Sequence, residues 1–187
     1  MRVIAGTARG RQLVAPRGTA TRPISDRVKE TLFAILADRV PGARVLDLYA
    51  GSGAVGIEAL SRGAAHCDFV EHDRRALAAI RENLERAGVG DRGSVHGQDV
   101  MRWLAAPGEI AFDLAILDPP YAERAILAPL ERLAGRLAQD AMVVVKHHWR
   151  TPIPAPPGLA VQRERRFGET ALTFLGATDG ADGVEEP

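Results

Sequence analysis

The segment Asp118-Pro119-Pro120-Tyr121 follows the apolar run Phe112-Asp113-Leu114-Ala115-Ile116-Leu117. One proline is enough to end a strand, because its ring fixes φ and it has no N–H for the ladder. Two in succession, set between a carboxylate and a phenol ring, build a rigid elbow. Pro119 has no donor, yet its carbonyl accepts. Beside the Asp118 carboxylate it completes a pair of acceptors, and the ligand that matches is a planar –NH2 group with two donors. Tyr121 offers a ring on which a base can stack. Asp118, Pro119, Pro120 and Tyr121 are therefore candidate catalytic residues for chemistry on the exocyclic amine of a nucleobase. Such an amine is a poor nucleophile, because its lone pair is delocalised into the ring. Accepting both N–H bonds raises electron density on nitrogen, and proximity to an electrophile does the rest. A base in a duplex must first be turned out of its stack.

A second constellation lies upstream. Asp47-Leu48-Tyr49-Ala50-Gly51-Ser52-Gly53-Ala54-Val55-Gly56 contains G-x-G-x-x-G, and Glu71 stands about 20 residues further on. On pattern alone this is a dinucleotide fingerprint, so a nicotinamide-dependent oxidoreductase is one reading. Asp47 argues against it. A pyrophosphate on this loop would meet that carboxylate, and like charges ~4 Å apart repel by about 4 kcal/mol at an effective dielectric of 20. S-adenosyl-L-methionine (SAM) carries a sulfonium and an ammonium instead, which an acid attracts. Gly51 and Gly53 let the backbone approach such a ligand, and Glu71 can accept from its ribose hydroxyls. Asp99 can accept from the adenine amine or cap the helix that follows it. With Tyr49, Ala50, Ser52, His72 and Val100 these make up the candidate cofactor set.

These loops need strands to carry them. The sequence predicts strands at 44–49, 67–71, 93–97, 112–117 and 141–146, and two more at 159–166 and 170–176. Helices are expected at 54–62, 73–87, 99–105 and 123–138, and one capped by Ser25 running to about Ala37. Strand–helix alternation with apolar strands implies an α/β fold, a mostly parallel seven-stranded sheet covered by helices on both faces. Asp118 then ends the fourth strand, beside the first, and shares a crevice with the glycine loop. Residues 2–5 and 11–14 flank a Gly-rich loop and predict a small N-terminal β-hairpin.

The 187 residues carry 24 Lys and Arg against 24 Asp and Glu, a formal net charge of zero. The distribution is uneven. Residues 1–24 hold Arg2, Arg9, Arg11, Arg17 and Arg22 and no acid, whereas 179–187 hold acids and no base. This asymmetry points to nucleic acid. The single cysteine, Cys67, excludes an internal disulfide and a thiolate metal cluster. Adjacent His147 and His148 face opposite sides of a strand, so no metal site is expected. No apolar run approaches the ~20 residues of a membrane span, and Arg2 is followed by no apolar signal region. A cytoplasmic protein without a membrane partner is expected.

The motifs LDPPY (117–121) and LDLYAGSGAVGIEALSRGA (46–64) resemble those of SAM-dependent amino-methyltransferases. The flanks RVIAGTARGRQL (2–13), RPISDRVKETLFAIL (22–36) and RRFGETALTF (165–174) resemble the RsmD family, over nearly all of residues 2–176. The resemblance implies a Rossmann-like class I SAM-dependent methyltransferase fold and methylation of a guanine N2 amine in bacterial 16S ribosomal RNA. It places the methionine end of SAM at Asp47, Gly51 and Gly53, the ribose at Glu71 and the adenine at Asp99. Asp118, Pro119 and Tyr121 would hold the guanine. Arg2, Arg9, Arg11, Arg17, Arg22 and Arg27, with Arg163, Arg165 and Arg166, would meet RNA. The substrate is expected within a small-subunit particle and the enzyme as a monomer. Domain organisation follows: a basic extension over 1–24, a methyltransferase domain over 25–177 and an acidic, disordered tail over 178–187. Ile24 stands where the family more often has threonine, and Lys146-His147-His148 where it often has an acid. An adenine-N6 DNA or protein-glutamine methyltransferase shares the DPPY motif, and a catalytically silent RNA-binding module remains a further reading.

Overall fold

Strands covered on both faces are largely apolar, and those at the centre of this sheet are, apart from a few acids and bases such as Asp47 and Lys146. Val45, Leu46 and Leu48 are buried, as are Leu114, Ala115, Ile116 and Leu117 and the run Met142 to Val145. The computed structural model describes residues 1–16, 24–108, 111–119 and 126–178. Its elements run α1 (Asp26–Ile35), β1 (Arg44–Leu48), α2 (Ala54–Ser61), β2 (His66–Glu71), α3 (Arg74–Ala87), β3 (Gly93–Gly97), α4 (Val100–Ala105), β4 (Phe112–Leu117), α5 (Leu127–Ala134), β5 (Leu137–His148), β6 (Leu159–Phe167) and β7 (Thr170–Ala177). The seven strands form one sheet in the order β3-β2-β1-β4-β5-β7-β6. The first five of these are parallel, and β7 pairs antiparallel with both β5 and β6. Side chains from α1, α2 and α3 fill one face, and those of α4 and α5 fill the other. Among the described residues no helix is long and apolar enough to cross a membrane.

Local chemistry sets most helix starts. Ser25 accepts from Val28 N at 3.3 Å and caps α1. Asp73 accepts from the backbone of Arg75 and Ala76 at the head of α3, and these bonds hold its carboxyl below the usual carboxylate range. α3 ends at Gly88, whose φ of 67° suits a glycine C-cap.

Two expectations need correction. The helix foreseen over 123–138 ends at Ala134, and the strand foreseen over 141–146 begins at Leu137 and runs to His148. Gly135 and Arg136 turn the chain there. Phe112 N donates to Arg136 O at 2.9 Å, and Leu137 then falls into register with Phe112. The Arg136 guanidinium sits 4.6 Å above the Trp103 ring, which fixes the turn against α4. Tertiary pairing thus overrides a sequence with helical spacing. The N-terminal hairpin is short: Arg2 pairs antiparallel with Gln12, and Val3 N donates to Arg11 O, Gly10 N to Val3 O and Leu13 N to Met1 O. The first residues of the foreseen helix, 123–125, and tail residues 179–187 lie outside the described residues.

Buried side chains of α1, α2 and α3 fasten this hairpin to the domain. Glu58 of α2 is fully buried and accepts from Ile4 N (2.8 Å), Ala5 N (3.0 Å) and Arg62 Nε (2.8 Å). Buried Lys29 of α1 lies 3.1 Å from the same carboxylate and donates to Arg2 O at 2.6 Å. Ser61 Oγ donates to Ala5 O and accepts from Ala8 N. Buried Asn83 of α3 accepts from Val14 N at 2.8 Å and donates to Val14 O at 3.0 Å. Removing one partner of such a buried charge cluster leaves the others unpaired. Glu58→Ala is expected to lower the unfolding free energy by about 3–5 kcal/mol in urea titrations. A loss below about 1 kcal/mol would show that the cluster does not hold the segment.

Candidate functional site

β1 and β4 lie side by side and parallel, with Leu48 opposite Leu117. β1 also pairs with β2, and the chain leaves in opposite directions on its two sides. Ligands of open α/β sheets bind at such a switch point, at the carboxyl ends of the strands. Asp47 is in register with Ile116, two residues before Asp118, so the two carboxylates share one face of the sheet.

The turn from β1 into α2 is tight. Tyr49 has φ 59°, a left-handed conformation that a residue with Cβ seldom adopts, and Gly51 and Gly53 follow at φ 56° and 73°. Gly56 is needed for a different reason. A Cβ there would collide with the Phe69 ring and the Cys67 sulfur of β2, so glycine lets α2 lie against the sheet. Two acids hold this turn. Asp47 Oδ2 accepts from Gly56 N at 3.0 Å, and Glu71 Oε2 accepts from Gly51 N at 2.9 Å. Glu71 Oε1 accepts from His72 N (2.8 Å) and Asp73 N (2.9 Å). Asn83 Nδ2 donates to Ser52 O at 2.9 Å, which ties the loop to the N-terminal segment through Val14. Asp47 is 2% exposed, and burial pushes its carboxyl up to about 8, against the opposing pull of Gly56 N–H.

The candidate cofactor residues therefore come together. Tyr49, Ala50, Gly51, Ser52 and Gly53 leave β1, Glu71 and His72 leave β2, and Asp99 and Val100 leave β3. Glu71 and Asp47 are largely buried, His72 projects into solvent, and Asp99 is exposed while Val100 is buried. Asp99 accepts from Arg102 N at 3.0 Å as the N-cap of α4. This meets its capping role and leaves its second oxygen for another donor. Buried and neutral, Asp47 holds Gly56 and supplies no charge to the crevice, so the expected repulsion of a pyrophosphate by its carboxylate does not operate. The left-handed turn still opens the backbone to a ligand, with Glu71 beside it. Gly53 also packs the turn on the core, since a Cβ there would press at 3.3 Å on Ile80 and Phe69.

Asp118 does not stand alone. Lys146 Nζ of β5 lies 2.6 Å from Oδ1 and 2.8 Å from Oδ2. Burial pushes the Asp118 carboxyl up, and the Lys146 ammonium works against that shift. Sequence reading noted Lys146 without seeing this role. The signal lies in the register, which sets Val145 beside Leu117 and hence Lys146 beside Asp118. Pro119, next in the chain, is buried. Pro120 and Tyr121 lie outside the described residues, as do Arg17 and Arg22.

The remaining arginines are spread over the surface. Arg9, Arg11, Arg27, Arg163, Arg165 and Arg166 are exposed, and Arg2 pairs with Asp26 at 3.1 Å. Arg166 forms part of a cluster that sequence reading missed. Its guanidinium lies 3.7 Å from the centre of the Trp149 ring, and that of Arg150 lies 4.8 Å from it. This cluster follows β5, which runs parallel to β4, so it stands at the same end of the sheet as Asp118. His147 is no ligand candidate: it is buried against Thr173 Oγ1 at 2.8 Å, and burial lowers its basicity.

Known proteins share this arrangement over nearly the whole chain. The family model described as Conserved hypothetical protein 95 matches residues 1–176. Ribosomal RNA small subunit methyltransferase D of Escherichia coli K12 is 35% identical over 174 residues, 91% of this chain and 87% of that protein. The chain belongs to the RsmD family. YlbH of Bacillus subtilis is 40% identical over 179 residues, 93% of this chain and 97% of its own. The solved structure of yhhF from Escherichia coli superposes with a TM-score of 0.85 at 34% identity, covering 95% of this chain and 97% of that one. The fold of this RsmD-family chain is accordingly the Rossmann-like class I SAM-dependent methyltransferase fold.

The buried state of Asp47 can be measured in the RsmD-family protein. Its folded form keeps a proton that the unfolded chain releases near pH 4, so stability falls as pH rises from about 4 to 8. Asp47→Asn keeps an acceptor for Gly56 N–H and cannot ionise. Its thermal midpoint should gain on that of the unaltered protein between pH 5 and pH 8. An equal difference at both pH values would contradict the buried-acid account.

Proposed function

We propose that this protein is a SAM-dependent methyltransferase that acts on the exocyclic N2 amine of a guanine in 16S ribosomal RNA. The observation that carries the reading is the Asp118 carboxylate at the switch point, one strand from a glycine turn held by acids. The RsmD-family membership and the names of relatives such as small subunit methyltransferase D in Escherichia coli and Haemophilus influenzae support the substrate class. The reading includes a monomer acting in the cytoplasm on a small-subunit particle. Its extension (1–24) and the Trp149 cluster would contact RNA, and Arg17, Arg22, Pro120 and Tyr121 would complete the target pocket.

When bound, SAM supplies a methyl group on a positively charged sulfur. Glu71 would orient its ribose and Asp99 its adenine, while Asp47 and the Gly51–Gly53 turn receive the methionine end. Asp118 and the Pro119 carbonyl would accept the two N–H bonds of the guanine amine, turning its lone pair toward the methyl carbon. Transfer of that methyl group to the amine nitrogen would leave one proton to be removed, for which the Asp118 carboxylate would be the adjacent acceptor. Positioning and charge complementarity, more than strong base catalysis, would supply the rate. Backbone phosphates would be met by the arginines, which fix register without reading sequence.

Methyl transfer, calorimetry and salt-dependent RNA binding test this. Labelled methyl transfer onto 16S RNA followed by nucleoside analysis should give N2-methylguanine, and label on N6-methyladenine or on no nucleoside would overturn the proposal. In the same assay Asp118→Ala should lose turnover by about 10²-fold or more, with SAM affinity by calorimetry nearly unchanged. The double variant Arg150→Ala, Arg166→Ala should weaken RNA binding and lower the slope of log K against log salt by about 2, at roughly one per lost phosphate contact. An unaltered slope would remove the Trp149 cluster from the RNA interface.

A further inference from the structure

The Lys146–Asp118 pair has a geometry beyond that of an incidental ion pair. Lys146 stands in β5 between two hydrogen-bonded neighbours: β4 on one side, and β7 on the other, where it is in register with Leu172. Its side chain is only 10% exposed, whereas that of Asp118 is 29% exposed. The ammonium thus approaches from inside the protein and the carboxylate faces outward. Its distances of 2.6 and 2.8 Å reach both oxygens. Each carboxylate oxygen has two acceptor sites. One bond from Lys146 to each oxygen fixes the plane of the group and leaves a second site on each.

We propose that Lys146 is the positioning residue of the methyl-transfer site: it keeps Asp118 in its acceptor form and orients it toward the target amine. This rests on the reading of Asp118 as the group that receives that amine. A protonated Asp118 would present an O–H donor to an N–H donor and lose its grip. The forces on Asp118 make that outcome real. Burial favours the neutral acid, and on the same face of β1 the Asp47 carboxyl is itself held neutral, chiefly by burial and in smaller part by the Asp118 charge. Among the described residues Lys146 from β5 is the cation that faces Asp118, while β7 presents apolar Leu172 beside it. The pair is also neutral as a whole. It suits an uncharged aromatic amine, and a protonated aliphatic amine would meet the Lys146 ammonium as a like charge. Lys146 therefore contributes to selecting a nucleobase over a lysine side chain.

The test compares the unaltered protein with Lys146→Met and Lys146→Arg. The protonation of Asp118 is read directly from its carboxyl 13C shift against pH, which needs no turnover, and methyl transfer to 16S RNA is followed over the same range. SAM calorimetry on each variant confirms an intact cofactor site. In Lys146→Met the Asp118 carboxyl should titrate at higher pH than in the unaltered protein. Its kcat should fall at least tenfold at pH 6 and recover as pH rises. Lys146→Arg should restore both the titration and most of the rate. An Asp118 titration unmoved in Lys146→Met would overturn the proposal. So would a loss of rate that is equal at every pH, since lost packing alone gives that pattern. A shifted titration in protein that never methylates 16S RNA would support the pairing and refute the guanine reading instead.

Discussion

A carboxylate taken out of water must be given donors or a proton, and this protein is organised around that requirement. Asp47, Glu58 and Glu71 are buried, and each is held by groups from other parts of the chain. Glu58 holds the N-terminal segment against α1 and α2. Asp47 and Glu71 hold the ends of the glycine turn, and Asp118 is held by Lys146. Isolated charges of this kind would be expensive. Here each becomes a joint between elements that the sheet alone does not connect. Asp47 is the exception in charge state, since its burial favours the neutral acid.

The joints converge on the site. Asn83 bonds to Val14 on one side and to the Ser52 carbonyl on the other, so the N-terminal segment and the cofactor loop share one buried amide. The segment that carries Arg2, Arg9 and Arg11 is thus part of the wall behind the glycine turn. Under the proposed function, RNA and methyl donor would meet the same rigid body. The Trp149 cluster stands at the carboxyl end of β5 and would give the RNA a second contact, at the end of the sheet where Asp118 lies.

Much of this was legible because it is local. Apolar strands alternating with helices, the Ser25 and Asp99 caps, and the glycine turn all declare themselves within a few residues. The β5 boundary was not legible, because Leu137 becomes a strand only by pairing with Phe112 and its neighbours have helical spacing. The arginine-rich head reads as a basic hairpin extension, and its attachment to the domain was not legible. Its docking depends on Glu58, Ser61 and Asn83, more than fifty residues away, and no local pattern reports them.

The sequence by itself determined the parallel α/β sheet, the order of its motifs and the chemistry of two loops, since periodicity and turn residues are short-range properties. Only the tertiary structure decided how those groups are charged and aimed. Asp47 reads as an anion in the sequence and proves to be a buried acid whose oxygen holds Gly56. Lys146 reads as the end of an apolar strand and proves to be the partner of Asp118. Both outcomes depend on strand register and burial. These fix which side chains share a face and how little water reaches them, and neither quantity is written in any single stretch of the chain.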